Sequence, residues 1–107
     1  MSVFNPQGKP LSFTGATSAP TSVVPTSVHG FDCDTFRIVN ESATIACVIG
    51  WGATDAIAKA NAAAINESCC VVPPFGVIDV VAQPNSYFSG ITPSSTALIF
   101  VQAGLLK

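Results

Sequence analysis

Charge is what this sequence has least of. Its 107 residues include four Lys or Arg and six Asp or Glu, 9% in all, against roughly 25% in ordinary soluble domains. A protein that grips nucleic acid needs a basic stripe to displace phosphate counterions. Here Lys9, Arg37, Lys59 and Lys107 are scattered and the formal net charge is −2, so no nucleic-acid partner is expected. Long apolar runs are missing as well. Spanning a bilayer takes roughly 18 or more consecutive apolar residues. The nearest stretch, Cys69 to Ala82, is interrupted by Pro73, Pro74 and Asp79, so no membrane partner is expected. The opening Met1-Ser2-Val3-Phe4-Asn5 lacks the basic segment and apolar run of a secretory signal. Synthesis and first folding in the cytoplasm follow as the expectation.

Histidine occurs once, at His29. A Ser-His-Asp or Cys-His arrangement needs a nucleophile and a third group close by. His29 could in principle serve as a base for Cys33, four residues on, and a solvated histidine is the plainer reading. His29, Cys33 and Cys69 or Cys70 have the right ligand types for zinc, but their spacing matches no zinc knuckle and no CxxC pair exists. In a reducing compartment the four cysteines read as small buried hydrophobes or inert thiols. Asp32, Asp34 and Glu41 sit in no calcium-loop pattern and read as a solvated turn. The expectation is a protein that is not an enzyme, with no cofactor and no metal.

Apolar material, by contrast, is plentiful at 49%. Abundant apolar side chains with little charge resemble the composition of interface cores, which favours a surface partly covered by partners. A neutral Ser, Thr, Asn and Gly surface is the bland alternative.

Two regions differ along the chain. Residues 1–30 carry Pro6, Pro10, Pro20 and Pro25 with many Ser, Thr and Gly. This reads as an extended arm whose isolated apolar residues, Phe4, Leu11 and Phe13 among them, dock on its own domain or on a neighbour. Thr21 to Val28 could add an edge strand. Residues 31–107 read as an all-β domain, a small β-sandwich or jelly-roll-like barrel with one short Ala-rich helix. Thr35–Val39 is a strand, Asn40–Ser42 a turn, and Ala43–Gly50 a strand buried on both faces. The two look like a hairpin. Thr54 suits an N-cap and Asp55 the positive end of a helix running to Ile65, with Ile57, Ala60 or Asn61, and Ala64 on one face. Such a helix is too short to stand alone in water and must pack on the sheet. Gly76–Gln83 alternates as a strand, with Val77, Asp79 and Val81 on one side. Asp79 there faces solvent or pairs with a cation such as Arg37, because an unpaired buried charge is costly. Ser86–Ile91 and Thr96–Val101 complete the strands, and Gln102–Lys107 is a short tail. The lone Trp51 between Gly50 and Gly52 reads as a core or interface anchor, or less simply as a platform for a sugar ring.

Four segments in order carry a resemblance: Phe36-Arg37-Ile38-Val39-Asn40; Val48 to Thr54 running into the Ala-rich stretch; Val71-Val72-Pro73-Pro74-Phe75-Gly76; and Tyr87 to Thr92 followed by Thr96 to Val101. Over residues 35–103 this order resembles small head proteins of tailed bacteriophages, of the capsid decoration (cement) type. The arm is outside the resemblance, and the tail departs from the glycine- and acid-rich end of that family. The resemblance implies a virion structural protein on the capsid surface. It would bind the major capsid protein across subunit junctions, join with itself as a homodimer or homotrimer, and stabilise the mature head. Trp51, Phe75 and Tyr87 would be body anchors, and Phe4, Leu11 and Phe13 anchors of the arm. Deleting residues 2–15 would then weaken capsid binding and leave the domain folded. The alternatives are a head-fibre or host-surface, carbohydrate-binding module, and a minor head–tail connector or tail component.

Overall fold

The computed structural model describes residues 3–27, 33–64 and 68–106. Eight strands and one helix follow in the order β1 (Phe4–Pro6), β2 (Leu11–Gly15), β3 (Thr35–Asn40), β4 (Cys47–Gly52), α1 (Asp55–Ala64), β5 (Cys69–Val72), β6 (Val77–Val81), β7 (Tyr87–Ile91) and β8 (Ala97–Leu106). They form a small all-β sandwich. In the larger sheet β8 lies between β3 and the pair β1 and β2, and β6 is the outer neighbour of β3; the smaller sheet runs β5-β4-β7. All of these strand pairings are antiparallel.

The core sits between the sheets. Phe36 and Ile38 of β3, Ile99 and Val101 of β8, Ile49 of β4 and Phe88 of β7 are fully buried there. Phe36 meets Phe88 across the gap with ring centroids 4.9 Å apart, and Phe88 meets Trp51 at 5.9 Å. The tilted geometry is one that aromatic quadrupoles favour.

The helix makes a third layer on the smaller sheet. Thr54 caps it, its hydroxyl accepting the Ile57 amide at 3.2 Å. The buried face is Ala58 and Ala62, with Ile57 exposed. The face expected from the helical period, Ile57, Ala60 or Asn61, and Ala64, is not the buried one. Gly50 explains the difference: a Cβ there would lie 2.3 Å from the Ala62 nitrogen and 2.6 Å from the Ala58 carbonyl oxygen. The helix backbone rests directly on the strand, and only small side chains fit between them.

Two further expectations are corrected. β3 and β4 are not a hairpin but belong to opposite sheets. Strand β4 begins at Cys47, and the chain between crosses the sandwich edge. Buried Asn40 holds that crossing. Its amide donates to the carbonyls of Ile45 (2.9 Å) and Val72 (3.1 Å), and its oxygen accepts the Ser42 amide (2.9 Å). The side chain thus gives partners to backbone groups of three segments that meet at the crossing. Nor is Gln102–Lys107 a tail over its described part, to Leu106. Strand β8 runs on to Leu106, because β3 covers it as far as Gly104 and β1 pairs with Gly104, Leu105 and Leu106.

The N-terminal segment docks on its own chain. Five residues of β2 pair with Val101 back to Ala97, and β1 pairs beyond them. Past β2 the segment reaches the smaller sheet, where Ala16 bridges Ile91 and Val23 bridges Phe88. One side of the sandwich is therefore closed. Thr21–Val28 is not an edge strand over its described part, to Ser27, which contributes isolated bridges only.

Candidate functional site

The side opposite to that closure is open. Here β5 leads through Pro73-Pro74-Phe75-Gly76 into β6, and the two are terminal strands of their sheets. Large apolar residues are exposed on both faces beside it: Val71 (53%) on the outer face of the smaller sheet, Phe75 (67%) at the corner, and Val77 (55%) and Val81 (68%) on the outer face of the larger sheet. Strand alternation puts Ile78 and Val80 against the core and Val77, Asp79 and Val81 outside.

The only ionised group on the outward face of β6 is already neutralised. Arg37 lies directly opposite Asp79 in the ladder and grips it with two bonds, Nε at 2.8 Å and Nη2 at 2.9 Å. The Phe4 ring stacks on the guanidinium, 4.5 Å from centroid to Cζ. Planar recognition on one side and an aromatic face on the other hold the arginine in place. The flank consequently offers valine, phenylalanine and a closed ion pair.

Phe75 stands at the corner. The Gly76 amide donates to the Pro73 carbonyl at 2.8 Å, closing a four-residue turn, and Phe75 has φ 55°. This left-handed region suits Gly or Asn and costs other residues roughly 1–2 kcal/mol. A bulky aromatic is held there in strain with its side chain in solvent. Backbone strain of this kind concentrates where function requires a particular side chain.

The six residues singled out in the sequence do not gather. Phe4 and Phe13 are buried by their own chain, Phe13 in the core and Phe4 beneath Arg37. Leu11, Trp51 and Tyr87 are half-buried. Trp51 also lines an open cleft of about 950 Å³ with Asp34, Val81, Gln83, Pro84 and Asn85. Only Phe75 stands on the open flank. Sequence reasoning missed Val71, Val77 and Val81 as surface features, although the Val77-Asp79-Val81 alternation placed them on one side.

Comparison with protein-family models, with curated proteins and with solved structures found no match. The functional reading therefore stands on the chemistry of the surface. Among the described residues no group of three His, Cys, Asp or Glu side chains could hold a metal ion. His29 and Asp32 lie outside the described residues, so the arrangements that use them do too. Among the described residues, no helix is long and apolar enough to cross a membrane.

No disulfide joins the cysteines. Burial, and then the neighbouring Cys70 thiol, pushes Cys47 up to about 12. Burial, and then Cys69, pushes Cys70 up to about 11. The nucleophile is the thiolate, so both are inert near neutral pH. At pH 8 we expect a thiol reagent to label Cys47 and Cys70 about a hundredfold or more slowly in the fold than in urea. Because both values are raised on folding, their contribution to stability is complete below pH 9, the ordinary thiol value, and is lost as pH climbs towards 11 to 12. Urea midpoints of the wild type against a Cys47→Ala/Cys70→Ala variant, at pH 8 and pH 11, isolate this effect.

Proposed function

We propose that this protein is a non-enzymatic assembly protein, a capsid decoration protein that binds the outside of an icosahedral phage head and stabilises its mature form. The observation that carries the reading is the flank from Val71 to Val81. Val77, Val81 and the corner residue Phe75 are exposed there beside a neutralised ion pair, and Val71 is exposed on the opposite face of the sandwich. In a chain with so little charge, such a flank favours burial against protein. The resemblance of residues 35–103 to small phage head proteins supplies the class of partner. The mechanism is linkage. A protein that binds only the closed arrangement of neighbouring capsid subunits stabilises that arrangement by its binding free energy, repeated at every equivalent site.

The test uses the virion that carries the protein. Its copy number there should approach that of the major capsid protein, and heads lacking it should burst at a lower temperature. Val71→Asp places a charge on the exposed face of edge strand β5 without touching the core. It should leave the fold intact and weaken uptake onto emptied heads at least tenfold. A handful of copies per particle, or unchanged uptake by the variant, overturns the reading.

A carbohydrate-binding module is the second reading, favoured by Trp51 on a cleft shared with Asp34, Gln83 and Asn85. Glycan binding that disappears in Trp51→Ala would replace the capsid reading.

A further inference from the structure

Strand β6 is an edge strand without the usual protection. The Asn40 amide donates to the Gly76 carbonyl, and the Ala82 amide to the Asp34 carbonyl. Antiparallel ladders alternate between bonded and non-bonded pairs, so the backbone groups of Ile78 and Val80 face β3. Those of Val77, Asp79 and Val81 face away from it, and among the described residues no strand lies on that side. Protein edges are normally blunted with lysine, proline or a bulge. This one carries two exposed valines and an aspartate whose charge is matched by Arg37.

We propose that this edge takes the same edge of a second copy, antiparallel about a two-fold axis at Asp79, joining the two larger sheets into one. Three observations select a second copy as the occupant. First, the outward residues read Val-Asp-Val in either direction. In antiparallel register Val77 falls opposite the second copy's Val81, and Asp79 opposite its Asp79. Three bonded pairs with two bonds each give about six new backbone hydrogen bonds. Second, the two facing carboxylates are each held by their own arginine, so the row Arg37-Asp79-Asp79-Arg37 sums to zero net charge and the repulsion between its two central anions is offset by the flanking cations. Third, Phe75 stands in the turn just before β6 and Gln83 follows just after it, so an antiparallel second copy brings the Phe75 corner of each near the Gln83 end of the other. Gln83 lies on the wall of the open cleft, next to Pro84 and Asn85. The strained, exposed aromatic of each copy thus meets a cavity of the other, and the symmetry satisfies both at once.

This pairing deepens the assembly reading, yet it is tested without any capsid. Sedimentation velocity over a concentration series should give a particle of twice the chain mass, with the amides of Val77, Asp79 and Val81 protected from hydrogen exchange at high concentration. Val77→Lys/Val81→Lys changes only exposed side chains and should raise the dimer dissociation constant at least a hundredfold. Leu98→Lys, exposed on the same sheet away from the edge, should leave the dimer unchanged. Phe75→Asn should weaken the dimer about tenfold while the monomer melts no lower. A wild-type monomer, a trimer, or a double-lysine variant that stays dimeric overturns the pairing. A dimer that no phage head takes up sinks the capsid reading alone, and a monomer that decorates heads sinks the edge pairing alone.

Discussion

Deletion of residues 2–15 should leave no cooperatively folded domain. The segment supplies β1 and β2, which together line the whole of one side of β8. It also supplies Phe13 to the core and the Phe4 ring over Arg37. Losing a buried phenylalanine costs about 3–5 kcal/mol, and two such losses approach the roughly 5–15 kcal/mol that holds a domain together. The exposed side of β8, ten residues of mostly apolar strand, would in addition become a template for aggregation. Thermal melting by circular dichroism and the dispersion of amide resonances report the outcome. A truncated chain that melts within a few degrees of the full one would show that the segment only decorates the sandwich. This reverses the expectation drawn from composition, in which the same deletion spares the fold.

The second large effect is expected at Gly50. A methyl group there would meet backbone atoms of α1 at 2.3, 2.6 and 2.8 Å, and backbone cannot rotate out of the way. Gly50→Ala must lift the helix. That exposes Ala58 and Ala62 and stretches the 2.7 Å bond from the Asn61 amide to the Trp51 carbonyl. Overpacking costs about 1–3 kcal/mol where side chains can adjust, and about 3 or more is expected here. For a domain of this size each kcal/mol lowers Tm by roughly 4–8 °C, so a fall beyond about 10 °C is the result to look for. Gly52→Ala is the control. Its new methyl would lie 2.3 Å from Ile57 Cγ2 and 2.9 Å from Ile57 Cβ, with the nearest backbone atom, the Ala58 nitrogen, at 3.4 Å, so α1 has less to move and the fall should be smaller. Equal losses at the two glycines would refute the close contact of helix and strand.

Much of the architecture was legible where local chemistry decides it. The Thr54 cap and Asp55 marked the helix start, and alternation in β6 put Val77, Asp79 and Val81 on one side. The cost of an unpaired carboxylate pointed from Asp79 to Arg37. What was not legible depended on distance in the chain. A polar turn between two strands looks alike whether it folds back in one sheet or crosses to another, and only the buried Asn40 distinguishes the cases. The helical period groups Ile57 with Ala60 or Asn61 and Ala64, while the buried pair is Ala58 and Ala62. The alternation Gly50-Trp51-Gly52 was the available sign that small residues belonged there instead. The arm looked detachable because prolines and serines dominate its composition, while its partner strand β8 lies more than eighty residues away in sequence. The bare edge of β6 became visible only once the topology showed which strand lay last in the sheet.

Strand β8 also sets a schedule. Each of its three neighbours, β1, β2 and β3, is synthesised before it. Until β8 is synthesised the larger sheet lacks its middle, and β3 can hold only β6. The sandwich therefore closes late, in one step joining distant parts of the chain, which places its folding among the slower topologies. Premature release before residue 97 would yield a polypeptide without its organising strand, a substrate for proteases rather than a competitor for assembly sites.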